Sequence, residues 1–178
     1  MKSTSRHLLS FKYLSLALVV QVSVVMYFAF NRLSLYEAAF GFTTLRVYSH
    51  AFILLLAAVY MSLLYKIFVD LSENAFALRT FFSIVIFIVA IHFLNPDLFI
   101  AQKNLERFSA TGKIDYDYLS SLSPDATPVL LKIYEKANAE GKSVLSASLN
   151  SRSKEQDAWP SWNLSRQNER QLLRQYKI

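Results

Sequence analysis

The side chains able to carry chemistry in this sequence are few, and most lie in or beside apolar stretches. Gln21, Arg46, His50 and His92 fall within long apolar runs or at their edges. Ionisable groups at membrane depth commonly mark a path for ions, protons or substrate. Arg46 and His50 are four residues apart and so share one helical face. A cation in the first turn of a helix opposes the macrodipole and calls for a partner. Glu37 is the only acidic residue between Asn31 and Val69, so a Glu37–Arg46 pair folded across Gly41 is expected. The alternative is that Arg46 extends to lipid phosphate. Gln21, near the middle of its run, calls for a hydrogen bond to another helix.

Nucleophilic and metal chemistry have less to stand on. Cysteine is absent, which excludes a thiolate nucleophile, a thiolate ligand and a disulfide. No H-E-x-x-H, G-x-S-x-G or Gly-rich phosphate loop occurs. His50 and His92, without a carboxylate or thiolate beside them, make a thin case for metal. Asp97, Asp115 or Asp125, beyond the last apolar run, could serve as an acid or base, and Asp115, Asp117 and Asp125 as a cation site are spaced more loosely than a calcium loop. No catalytic residue, cofactor or metal ligand is therefore assigned, and a non-enzymatic protein is expected.

Three apolar runs hold these groups: Tyr13–Phe30, His50–Val69 and Ala75–Leu94. Each approaches the roughly 20 residues that a helix needs to cross a bilayer core. With 53% hydrophobic and 18% charged residues, the chain is expected to be an all-α integral membrane protein with three transmembrane helices and a polar helical tail. Lys2, Arg6 and Lys12 precede the first run as in a signal peptide. The run is about 18 residues long, beyond the usual 7–15, and Phe28-Ala29-Phe30 is a poor cleavage site, so an uncleaved span is expected.

Between the first two spans, Leu33, Tyr36, Phe40 and Val47 recur near helical spacing. That predicts a short interfacial helix over about 32–41, a turn at Gly41 and a cap from Thr43 or Thr44. The short Asp70–Asn74 link makes spans two and three antiparallel neighbours. Asn95-Pro96-Asp97 stops the third span and starts the tail, with Asn95 or Asp97 as cap and Pro96 in the first turn. The tail is expected to be helical over 95–142, broken at Thr111-Gly112-Lys113 and ended by Glu140-Gly141-Lys142. A flexible linker follows over 143–158, then a terminal amphipathic helix over 159–178 with Arg166, Arg170 and Arg174 as a basic stripe. Trp159 and Trp162 precede that stripe and would suit a membrane interface, or would pack on the tail's other helices.

The tail from Asn95 holds 12 Lys/Arg and 10 Asp/Glu. That mixed balance argues against nucleic acid as a partner. Lys2, Arg6 and Lys12, with Lys66 and Arg79 flanking the link, favour a cytoplasmic N-terminus and a tail outside.

Several stretches carry a family likeness. They are Leu35–Arg46, Asn95-Pro96-Asp97, Ile100-Ala101 and Asn104-Leu105-Glu106-Arg107. Gly112, Asp115, Tyr118-Leu119, Leu122–Ala126 and Pro128 follow, then Trp159 and Trp162–Arg166. In this order they resemble a bacterial multi-pass membrane family known only as a domain of unknown function, the 4173 group and its relatives. The resemblance implies a bacterial inner-membrane location and a chain similar to the C-terminal portion of longer members. It implies no activity. Together with His50, taken from the helical face it shares with Arg46, it makes Tyr36, Glu37, Gly41, Arg46, Asn95, Asp97, Asn104 and Arg107 the candidate functional or structural polar residues. Besides the lipid bilayer, the expected partner is a multi-pass membrane protein or a second copy. The alternative is part of a transporter, its polar path lined by Gln21, Arg46, His50 and His92.

Overall fold

The computed structural model of the chain describes residues 2–69, 72–154 and 163–176. Every regular element among them is a helix, and the all-α expectation holds. The chain divides into two compact units, Met1–Glu37 with Leu45–Phe93, and Ala38–Thr44 with Leu94–Ile178. They are stabilised by different physics.

The first unit is made from α1 (Lys2–Phe40), α2 (Thr44–Val69) and α3 (Glu73–Leu94). Leu9–Phe40, Thr44–Val69 and Glu73–Leu94 are long and apolar enough to cross a bilayer, which makes this a membrane protein. These helices keep almost no core of their own. Among the described residues α2 and α3 bury none, and Val19 is the buried apolar residue of α1. Their apolar surface is satisfied by lipid, because hydrocarbon tails solvate it as well as protein does. An apolar groove of about 260 Å³ runs between α1 and α2, lined by Val19, Ser23, Met26 and Phe30 on one side and Ile53, Ala57 and Tyr60 on the other. Ser72 starts α3, its hydroxyl accepting from the Ala75 amide at 3.4 Å. Lys66 meets Glu73 at 2.6 Å, and the Arg79 guanidinium lies 4.3 Å from the Tyr65 ring centre. These contacts fix α2 and α3 as the expected antiparallel pair.

The short interfacial helix expected over about 32–41 is not a separate element. The first helix continues without a break to Phe40. Asn31 and Ser34 donate to the carbonyls four residues back, Tyr27 O and Phe30 O, at 3.1 and 3.0 Å. Their polar atoms are thus absorbed by the helix itself. Nothing before Gly41 removes an amide hydrogen or relaxes the backbone.

The second unit is a water-type bundle. It contains α4 (Pro96–Thr111), α5 (Tyr116–Ser120), a 3-10 turn (Pro124–Ala126), α6 (Thr127–Lys136), α7 (Ala139–Lys154) and α8 (Leu164–Tyr176). Its core is Ile100 from α4, Leu119 from α5, Leu130 and Ile133 from α6, Leu145 and Leu149 from α7 and Leu173 from α8, all fully buried. Each such side chain contributes about 1.5–3 kcal/mol. Gly112, in the left-handed region at φ +69, ends α4 and returns its amide to Phe108 O. That is the break expected there.

Two expectations for the tail are corrected. The flexible linker expected over 143–158 is helical through Lys154, and residues 155–158 lie outside the described ones. Leu145 and Leu149, one turn apart, bury a face that its serines disguise. Glu140-Gly141-Lys142 does not end a helix but begins one. Asn138 caps it, its side-chain oxygen accepting from Gly141 N at 2.8 Å, and Gly141 is buried where a Cβ would overlap the Tyr116 ring. The terminal helix forms from Leu164, with Asn163 accepting from Ser165 N at 2.8 Å. Its inward face packs Leu173 on Leu131 and Leu149. Trp159 and Trp162 lie outside the described residues.

Candidate functional site

Within the first unit, Glu37 and His50 form a polar cluster near one end of α1 and α2. Glu37 is only 6% exposed, and its Oε1 meets His50 Nδ1 at 3.0 Å. On its other side the ring faces Ser34 Oγ at 3.2 Å and Phe30 O at 3.3 Å through Nε2. The Phe30 ring closes over it edge-on, 4.4 Å between centres. Nδ1–H can donate to the carboxylate, and Nε2 can accept from the Ser34 hydroxyl or donate to Phe30 O according to the ring tautomer. The ring therefore gives the buried carboxylate the hydrogen-bond partner that its burial requires. That is how two ionisable groups remain tolerable at this depth.

The order carboxylate, imidazole, hydroxyl is that of an acyl-transfer triad. The surroundings differ. Ser34 Oγ also donates to Phe30 O at 3.0 Å, and the amides around it are spent inside α1. Among the described residues, no free pair of amides faces the hydroxyl to hold an oxyanion. The cluster joins a carboxylate, an imidazole and a hydroxyl through hydrogen bonds.

Within the second unit, α4 and α5 grip the Ala38–Thr44 elbow. The carbonyls at the end of a helix lack partners within it. Arg107 supplies them, donating from Nε to Ala38 O at 3.0 Å and from Nη2 to Ala39 O at 2.6 Å, while Nη1 reaches Lys113 O at 3.0 Å. Its planar fork suits three fixed acceptors in a way that a lysine cannot reproduce. Asn104, one turn earlier on α4 and 7% exposed, takes both backbone groups of Phe42. Its Oδ1 accepts from Phe42 N at 3.0 Å and its Nδ2 donates to Phe42 O at 2.8 Å. Tyr118 accepts from Thr44 N at 2.7 Å, satisfying an orphan amide at the start of α2. Gly41 makes the turn at φ +88, with its Cα so close to Asn104 that a Cβ would come within 2.5 Å of Oδ1.

The nine candidate residues are thus divided among several places. Glu37 and His50 meet in the first cluster. The partner that the structure gives Glu37 lies one turn beyond Arg46, which is half-buried in the first turn of α2. Gly41, Asn104 and Arg107 meet at the elbow. Asn95, at φ +45, caps α4 through Leu98 N at 3.5 Å, whereas Asp97 accepts from Ser123 N at 3.0 Å and so caps the 3-10 turn. The Tyr36 hydroxyl takes a hydrogen bond from Arg32 at 3.3 Å. Gln21 and His92 are both exposed on their helices and apart from these clusters. Among the described residues, no three His, Asp or Glu side chains are grouped to hold a metal.

Sequence reasoning missed a third polar cluster, in the tail. Glu169 is 4% exposed and accepts from Thr127 Oγ1 at 2.6 Å and from Arg152 at 3.4 Å. Arg152 also donates to Ser120 O and Leu122 O at 2.5 and 2.6 Å. The available signal was Glu169 itself, a charge one turn before Leu173 on the apolar face of α8.

A family model described as Domain of unknown function (DUF4153) matches residues 1–133. The match includes the Glu37–His50 cluster and the whole elbow clamp, and it stops within α6. No curated protein and no solved structure matches.

Proposed function

This chain belongs to the family described as Domain of unknown function (DUF4153), and from that premise we propose a non-enzymatic membrane component that acts through assembly, with itself or with a multi-pass partner. The observation that supports this is Gln21. It is exposed in the middle of the first span and has no hydrogen-bond partner among the described residues. An unpaired amide is costly in hydrocarbon, and another helix is the ordinary remedy. The location that goes with this reading is the bacterial cytoplasmic membrane, with the N-terminus inside and the tail outside, on the strength of Lys2, Arg6, Lys12, Lys66 and Arg79. Mass measurement of the full chain in nanodiscs tests assembly, and a strictly monomeric, partnerless particle would refute it. Labelling of Ser121→Cys in intact cells by a membrane-impermeant reagent tests the orientation.

The second reading is part of a transporter, and the buried Glu37–His50 contact is what favours it. Of a polar path over Gln21, Arg46, His50 and His92, this reading keeps a proton-holding element at Glu37, His50 and Ser34. Proton flux into liposomes that His50→Ala abolishes would support this reading, and unchanged flux would remove it.

A further inference from the structure

We infer that the outer face of α1 pairs with the same face of a second copy of this chain, an inference that rests on the assembly reading and names its partner. Phe11, Leu14, Leu18, Gln21, Val25 and Phe28 recur at alternating steps of three and four. That is the heptad seam of a left-handed helix pair. The five apolar members are between 60% and 67% exposed. The residues of α1 that face α2, namely Val19, Ser23, Met26 and Phe30, lie about 140° away around the helix at 100° per residue. α1 therefore has one face committed within the unit and a patterned face left open on the other side.

Lipid can cover the apolar members of that seam, but it cannot satisfy Gln21. A primary amide both donates and accepts. Two copies inserted in the same direction pack around a two-fold axis, which brings each seam residue against its own counterpart. Gln21 then finds in its own copy a group of complementary hydrogen-bonding character, much as a single polar residue fixes register in a coiled coil. The seam covers about 26 Å of helix, close to the hydrocarbon thickness of about 30 Å.

The cysteine-free sequence makes the test direct. Single-cysteine variants of the full chain are reconstituted in nanodiscs and oxidised. Leu18→Cys, Gln21→Cys and Val25→Cys are expected to give disulfide-linked dimers. Val20→Cys and Val24→Cys, equally lipid-accessible but off the seam, are expected to give at least about tenfold less, since a disulfide needs Cα atoms within about 7 Å. Gln21→Leu is expected to weaken dimerisation about three- to fifteen-fold, the range of a single interhelical hydrogen bond in a membrane. Equal cross-linking at all five positions, or none on the seam, would overturn the inference. A particle larger than a monomer without seam cross-links would leave assembly standing and remove this interface; a monomeric particle would remove both.

Discussion

Gly41→Ala is the sharpest probe of the elbow. At φ +88 an alanine is strained by about 1–2 kcal/mol. Its Cβ would also stand 2.5 Å from Asn104 Oδ1, which forces the amide out of its place between Phe42 N and Phe42 O. Two hydrogen bonds of about 1 kcal/mol each are then lost. The expected cost is about 3–4 kcal/mol for the clamped state, or two to three powers of ten in amide exchange. Hydrogen exchange of the Phe42 and Thr44 amides measures it, with α6 and α7 amides as the reference for the rest of the unit. The two contributions separate in a double-mutant cycle. In an Asn104→Ala background the clash has nothing to displace, so Gly41→Ala adds only its φ cost there. The expected coupling is about 2 kcal/mol. Additivity to within about 0.5 kcal/mol would show that glycine and amide are not linked and would refute the reasoning.

Three further outcomes follow from the other clusters. His50→Ala leaves Glu37 buried without its ring partner and is expected to destabilise the first unit by about 3–5 kcal/mol in a nanodisc unfolding assay, with Glu37→Gln relieving most of that loss. Arg152→Ala, which takes the ion-pair partner from Glu169 and the donor from two carbonyls, is expected to cost a similar 3–5 kcal/mol; Arg152→Lys is expected to recover less than half, because one ammonium nitrogen cannot span acceptors that two guanidinium nitrogens serve. Gly141→Ala is expected to lower stability by about 1–3 kcal/mol by overpacking against Tyr116, and Tyr116→Ala should remove most of that penalty.

The membrane helices were legible in the sequence because lipid selects on composition, and three long apolar runs leave little to arbitrate. Their boundaries were less so. Asn31 and Ser34 look like an interruption until their side chains are seen bonding one turn back along α1. In the tail the difficulty was the opposite one. Ser143–Lys154 carries few apolar residues, yet two leucines one turn apart suffice when α6 and α8 supply the other half of the core. At the elbow, sequence placed Gly41, Asn104 and Arg107 among the candidates but not together, since their meeting depends on contacts 62 to 69 residues apart. The Glu37 partner was expected one turn too early, because helix periodicity puts Arg46 and His50 on the same face without choosing between them.

The clamp also sets an order of events during synthesis. The elbow leaves the ribosome early, but its last gripping group, Tyr118, lies 74 residues behind Thr44. At about 5–20 residues per second that gap lasts roughly 4–15 s. Until Asn104 and Arg107 emerge, α1 and α2 are joined by a turn whose carbonyls and amides have only water or headgroups to bond. A chain stalled before Tyr118 would carry the full membrane-spanning sequence and an unfinished elbow. The completed grip therefore distinguishes a chain that has passed Tyr118 from one whose spans have merely been inserted.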